Sequence, residues 1–179
     1  QYSKTTIVRI KDDHRTEVHP HRDRLFCSQS WHPTRNVLSA GMERGNVIHW
    51  DLTDGTTTQM EAFDSYLYSI DWSADASRLA CVSAGKNVLR LFDEDGTEIS
   101  QVSGLGAARG VDWDSTSQIV AVNGAESRLV SLLDRDGELL KKIDVDEKAG
   151  AYTLQWHPTM PRLLVSGNSY VRIYDSAGE

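Results

Sequence analysis

LRLFDEDGTEIS (residues 89–100) and VSLLDRDGELLK (residues 130–141) are the same sentence written twice, 41 residues apart. Each is a short apolar run, an Asp-x-Asp-Gly turn and a second run. Asp-Gly between alternating apolar segments is the strongest local hairpin signal, because glycine takes positive φ without steric cost. Working outward, the turn recurs as Asp51 to Gly55 and Asp175 to Gly178, around the central pair Asp93 to Gly96 and Asp134 to Gly137. The four glycines are spaced by 41 residues throughout. Trp31, Trp72, Trp113 and Trp156 run beside them at spacings of 41, 41 and 43. A tandem period of this length, carrying a tryptophan and a turn at constant phase, predicts one β-propeller blade per copy.

Within a period the predicted strands are short. In the second copy they are residues 66–72, 78–83, 88–92 and 97–102, separated by polar turns such as Ser73 to Ser77. Four antiparallel strands per repeat predict an all-β propeller of four-stranded blades, with blades at about 21–60, 61–102, 103–144 and 145–179. No stretch carries a helical period of useful length. Residues 5–10 fall where a third strand belongs and residues 15–18 where a fourth does, so residues 5–19 are expected to supply part of a further blade. Two closures stay open at this point. The chain is an arc of a larger propeller, commonly of seven blades, or the N-terminal fourth strand completes the last blade of a four-bladed ring. Closure matters because an open flank leaves strand edges and apolar faces uncovered.

Composition narrows the function classes. Hydrophobic residues make up 39% of the 179, enough for a sizeable core, and no run approaches the 18 or so apolar residues of a membrane-spanning helix. The N-terminus lacks the basic-then-apolar pattern of a secretory leader. Net charge is −7, divided as +2 over residues 1–24 and −9 over the rest. An acidic body argues against binding a phosphate backbone, which needs a basic footprint. Cys27 and Cys81 lie in apolar stretches and are expected as buried free thiols.

Four in-phase copies resemble the WD-repeat family. Its third-strand ending, an aromatic followed by aspartate, has counterparts in Val47 to Asp51, Leu89 to Asp93, Val130 to Asp134 and Val171 to Asp175. Its first-strand ending appears as Trp31-His32-Pro33, Trp72-Ser73-Ala74-Asp75, Trp113-Asp114-Ser115 and Trp156-His157-Pro158. The Gly-His pair that precedes the family's first strand is missing from the second and third copies, where Phe63 and Gly104 stand at the histidine position. Arg44 replaces the aspartate expected before the first copy's third strand. The resemblance therefore implies the fold without the family's Asp–His–Ser–Trp hydrogen-bond network, and apolar packing is expected to hold the blades instead.

The resemblance implies a non-catalytic scaffold for protein–protein contacts, with no cofactor and other proteins as partners. The Asp-Gly turns also look similar to those of propellers in transport and coat assemblies, ciliary transport subunits included, which implies a cytoplasmic protein associated with the cytoskeleton or cilium. By phase alone, the contact residues are expected in loops leading into first strands and in turns between second and third strands: Tyr66, Arg109, Tyr152, Met42, Arg44 and Lys86. Gly104 to Gly110 reads as a loop of this kind, since it precedes a strand and offers no helix N-terminus to a phosphate. The repeat tryptophans are expected in the blade cores.

Two other classes stay in view. A propeller hydrolase needs acidic or histidine metal ligands converging on the axis, and first-strand residues there are expected to be small or apolar. An RNA- or chromatin-binding propeller needs a basic face. The Asp-x-Asp-Gly turns lack the further carboxylates of a calcium loop. His14, His19 and His21 lack the third and fourth ligands of a zinc site. His32 and His157, each before a proline, are expected to stabilise equivalent turns.

Overall fold

A computed structural model describes residues 5–9, 14–18, 26–83, 85–124, 128–145, 151–167 and 169–179. Every regular element among them is a strand. β1 (Thr5–Arg9) and β2 (His14–Val18) form a hairpin. The first four-stranded sheet runs β3 (Phe26–Trp31), β4 (Val37–Met42), β5 (Asn46–Asp51) and β6 (Thr57–Glu61). The second runs β7 (Leu67–Trp72), β8 (Leu79–Ser83), β9 (Val88–Phe92) and β10 (Glu98–Val102). The third runs β11 (Ala108–Trp113), β12 (Ile119–Gly124), β13 (Leu129–Asp134) and β14 (Leu139–Asp144). The fourth has three strands, β15 (Thr153–Trp156), β16 (Arg162–Ser166) and β17 (Val171–Asp175). All pairings are antiparallel. β2 pairs with β1, and among the described residues no strand pairs with the outer edge of β17, so closure of a ring through β2 is not what this structure holds.

The turns form as their residue types demand. Gly55, Gly96, Gly137 and Gly178 have φ of 78°, 82°, 94° and 75°. Each opening aspartate caps its turn, Asp93 Oδ1 accepting from the N–H groups of Asp95 (3.0 Å) and Thr97 (2.7 Å), and Asp134 Oδ1 from those of Asp136 and Glu138. These carboxylates are thus engaged by backbone.

Burial grades outward along each blade. Every residue of β4 and β8 is buried, as befits middle strands, and β8 has a neighbouring sheet over each face. The fourth strands β6 and β10 are largely exposed. Cys81 lies fully buried in β8 and burial pushes its thiol pKa up, so it is an inert core residue. The Cys27 side chain and His19 and His21 lie outside the described residues, as does the His14 side chain.

Adjacent blades are joined along their first strands. These are edge strands, so alternate N–H groups point away from their own sheet and need partners. Ile70 N–H donates to Ser28 Oγ and Trp72 N–H to Ser30 Oγ, both at 3.2 Å. Trp113 N–H donates to Asp71 Oδ2 at 2.9 Å, and Trp156 N–H donates to Asp112 Oδ2. The residue before each tryptophan therefore reaches across to the next tryptophan's backbone. The expectation that first-strand positions near the axis are small or apolar fails here, since Asp71 and Asp112 occupy them.

The Trp72, Trp113 and Trp156 rings each face the preceding blade. Trp72 Nε1–H donates to Ser39 Oγ (2.8 Å), which is 2.7 Å from His49 Nδ1. Burial, then the positive charge of Arg35, lowers the His49 pKa to about 4, so the imidazole is neutral. A polar Trp–Ser–His chain thus crosses the first junction, correcting the expectation of purely apolar packing. At the next two junctions Ala80 and Ala121 stand where Ser39 does, packed with Trp113 and Trp156, and both indole N–H groups lack a partner. Ser39→Ala should cost about 2 kcal/mol in chemical denaturation, by leaving a buried indole N–H and an imidazole nitrogen unpaired. A cost near zero would show that the chain contributes nothing. Trp31 departs from its expected core position. It is 51% exposed, since among the described residues no blade covers that flank.

Candidate protein-interaction face

The antiparallel pairings place the start of each first strand beside the end of each second strand: Phe26 opposite Met42, Leu67 opposite Ser83, Ala108 opposite Gly124 and Thr153 opposite Ser166. Connections into first strands and the turns after second strands therefore share one end of the blades, here called the mouth face. Its loops are braced from below. Gly45 C=O accepts from Ala62 N–H (3.1 Å) and Phe63 N–H (2.9 Å), and Asn123 Nδ2 donates to Ala151 C=O at 2.6 Å. Arg90 and Arg172, at matching third-strand positions, donate to the carbonyls of Ala62 and Val145. These two guanidiniums are thereby committed to the scaffold.

A feature invisible to pattern reading recurs at this face. In each of the first three blades the register between first and second strands slips by one residue, four positions before the tryptophan. The residues skipped are Cys27, Tyr68 and Arg109. Such a bulge leaves one residue outside the ladder and re-aims its side chain. Tyr152 holds the same phase in the fourth blade, just ahead of β15, and is 44% exposed. The Arg109 guanidinium lies 5.2 Å from the Tyr68 ring centre, a cation–π distance, and Tyr66 meets Tyr68 edge-on at 5.1 Å. Tyr68 was missed by sequence reading, yet its spacing from Trp72 equals that of Arg109 from Trp113 and of Tyr152 from Trp156, and that spacing was available.

The expected contact residues separate on inspection. Tyr66, Arg109 and Tyr152 are exposed at the mouth face, with Arg109 inside β11 rather than in the loop before it. Arg44 and Lys86 are exposed in the turns after β4 and β8 and line one groove with Phe63. Lys86 pairs with Asp64 at 3.2 Å. Met42 does not qualify. It is 6% exposed and packs with Leu38, Ala40, Ile48 and Trp50, because β4 runs through Met42 and keeps it in the strand rather than in the turn. His32 and His157 stabilise their turns, each Nδ1 accepting two backbone N–H groups. Among the described residues no group of three or more His, Cys, Asp or Glu is placed to hold a metal.

Solved structures match this arrangement of sheets. The β-propeller domain of Cps50 (Swd1) from Myceliophteria thermophila superposes with a TM-score of 0.80, covering 96% of this chain and 62% of that one at 13% identity. A chain of a mitotic checkpoint complex gives 0.82, covering 95% and 55% at 19% identity. The fold is that of a β-propeller. In sequence, the propeller is 32% identical to the Protein SEC13 homolog of Drosophila melanogaster over 90 residues, 47% of this chain and 25% of that protein. The chain thus spans about a quarter of that relative and little over half of the propeller chains it superposes on. No protein-family profile matches it.

Proposed function

We propose that residues 1–179 are a propeller region of a non-catalytic, cytoplasmic scaffold in a multiprotein assembly, and that it docks protein partners on the mouth face through Tyr66, Tyr68, Arg109 and Tyr152, with Arg44 and Lys86 at the rim. The observation that carries this reading is the bulge repeated at one phase, which in blades two and three takes Tyr68 and Arg109 out of the ladder at the mouth, with Tyr152 exposed at the same phase in blade four. Tyrosine and arginine give large contact area and directional hydrogen bonds, and are enriched where binding energy concentrates. The SEC13 homologue, Cps50 (Swd1) and the checkpoint-complex chain support a scaffold reading as propellers of the same fold. The transport or coat type rests on the turn sequences alone.

The test compares partners captured by the full-length parent with those of an Arg109→Ala/Tyr152→Ala double variant. Both side chains are exposed, so folding should be unchanged, while capture of at least one partner should fall about tenfold or more. A double variant at the opposite end of the blades, Thr53→Ala/Thr56→Ala, should retain all partners. Full retention by the mouth-face variant would overturn the assignment.

A further inference from the structure

The mouth face, taken as a docking surface on the reading above, also carries a charge pattern that selects its partner. The chain is acidic, with a net charge of −7. Away from the mouth, basic side chains meet carboxylates of neighbouring elements, as Arg35 does Glu94 at 3.4 Å, Arg78 does Asp136 at 3.3 Å and Lys141 does Glu179 at 2.8 Å. Arg109 is held in another way. Its guanidinium lies over the Tyr68 ring, 5.2 Å from the centre, and the residue is exposed. Tyr68 is partly buried and packs against the apolar core shared by blades two and three, while Tyr66 meets it edge-on. Tyr68 belongs to β7 and Arg109 to β11, so strands rather than loops position both.

A guanidinium over an aromatic ring engages its face there and keeps its edge N–H groups, the fork that matches the two oxygens of a carboxylate. Holding the side chain in place beforehand lowers the rotamer entropy lost when a ligand arrives. Arg44 and Lys86 stand exposed along a groove of about 600 Å³ that Phe63 also lines. Lys86 meets Asp64 there at 3.2 Å, but the two side chains are 51% and 77% exposed, so the pair is weak and open to exchange with an incoming carboxylate. We propose that the mouth face takes an acidic segment of a partner protein, with one carboxylate forked on the Arg109 guanidinium and others along Arg44 and Lys86. A nucleic-acid backbone fits less well. It needs a continuous basic footprint, whereas Glu43 follows the chain beside Arg44 and Asp64 lies against Lys86. Carboxylates spaced along a peptide can meet the cations and pass between the acids.

The test titrates the full-length parent, by fluorescence anisotropy, with a labelled peptide alternating glutamate and serine, its glutamine–serine counterpart and a labelled oligouridylate. The glutamate peptide should bind about tenfold or more tightly than the glutamine peptide, and Arg109→Gln should remove about tenfold of its affinity, the size of one lost charge-assisted pair. Arg109→Lys keeps the charge without the fork and should recover only part of that loss, a difference that general attraction to a cation would not produce. Arg109 is exposed, so thermal unfolding of both variants should match the wild type. Equal binding of the glutamate and glutamine peptides overturns the proposal, as does a glutamate preference that Arg109→Gln leaves intact. Oligouridylate binding tighter than the glutamate peptide and lost in Arg109→Gln assigns the face to RNA and overturns it too. Loss of captured partners in Arg109→Ala/Tyr152→Ala, with the two peptides binding equally, would keep the docking face and strike its acidic partner alone.

Discussion

Gly45→Ala is expected to destabilise the chain by about 3–5 kcal/mol, placing it among the most damaging single-methyl additions in this fold. Gly45 has φ of +89°, and a Cβ built there would sit 2.2 Å from the Phe63 carbonyl oxygen and 2.6 Å from both the Phe63 carbonyl carbon and the Ser65 oxygen. All three atoms are backbone, so no rotamer change relieves the overlap. Movement would break the two hydrogen bonds that Gly45 C=O accepts from Ala62 and Phe63. Those bonds tie the turn after β4 to the connection entering β7, so the damage reaches the blade one–blade two junction and the mouth face together. Gly55→Ala is the control. Its φ is similar at +78°, but a Cβ would meet nothing within 4 Å, leaving only the conformational cost of about 1–2 kcal/mol. Denaturant titrations of both variants would separate the terms, and equal losses would refute the steric argument.

Trp72→Ala should cost about 3–5 kcal/mol, whereas Trp31→Ala in this chain should cost about 1 kcal/mol or less. The two residues occupy the same repeat position and differ only in surroundings. Trp72 is 6% exposed, lies 4.8 Å from the His32 ring and hydrogen-bonds Ser39. Removing its indole empties a volume walled by two blades and takes from Ser39 Oγ its indole donor. Trp31 is half in solvent, so its removal opens no closed cavity. Equal costs at the two positions would show that the exposed flank is covered in solution. That would be visible as a concentration-dependent Tm if a second copy covers it.

What pattern reading reached here depended on how local the signal was. The hairpin turns at Asp93 to Gly96 and Asp134 to Gly137 were legible because positive φ and the Asp cap are properties of four or five consecutive residues. The strands followed from alternation around them. Met42 was misread because β4 runs one residue past Gly41, and Trp31 because phase within a repeat says which way a residue points, not whether a neighbouring sheet is there to meet it. Arg109 was placed in a loop because Gly104 to Gly110 is glycine-rich, while the ladder in fact extends to Ala108 and expels Arg109 as a bulge. The Ser39–His49–Trp72 chain escaped notice because its members do not match the family's positions and belong to two different blades.

Taken alone, the order of residues determined a tandem unit of about 41 residues, four short strands in most copies, the turn chemistry and the phase of the tryptophans. These depend on backbone preferences and side-chain alternation within a few residues. The stacking of sheets decided which tryptophan is buried, and that Asp71 and Asp112 each reach the backbone of the next blade's tryptophan. Partners 41 to 44 residues apart come together only when neighbouring blades set their first strands side by side, and that spacing in space is written in no single repeat.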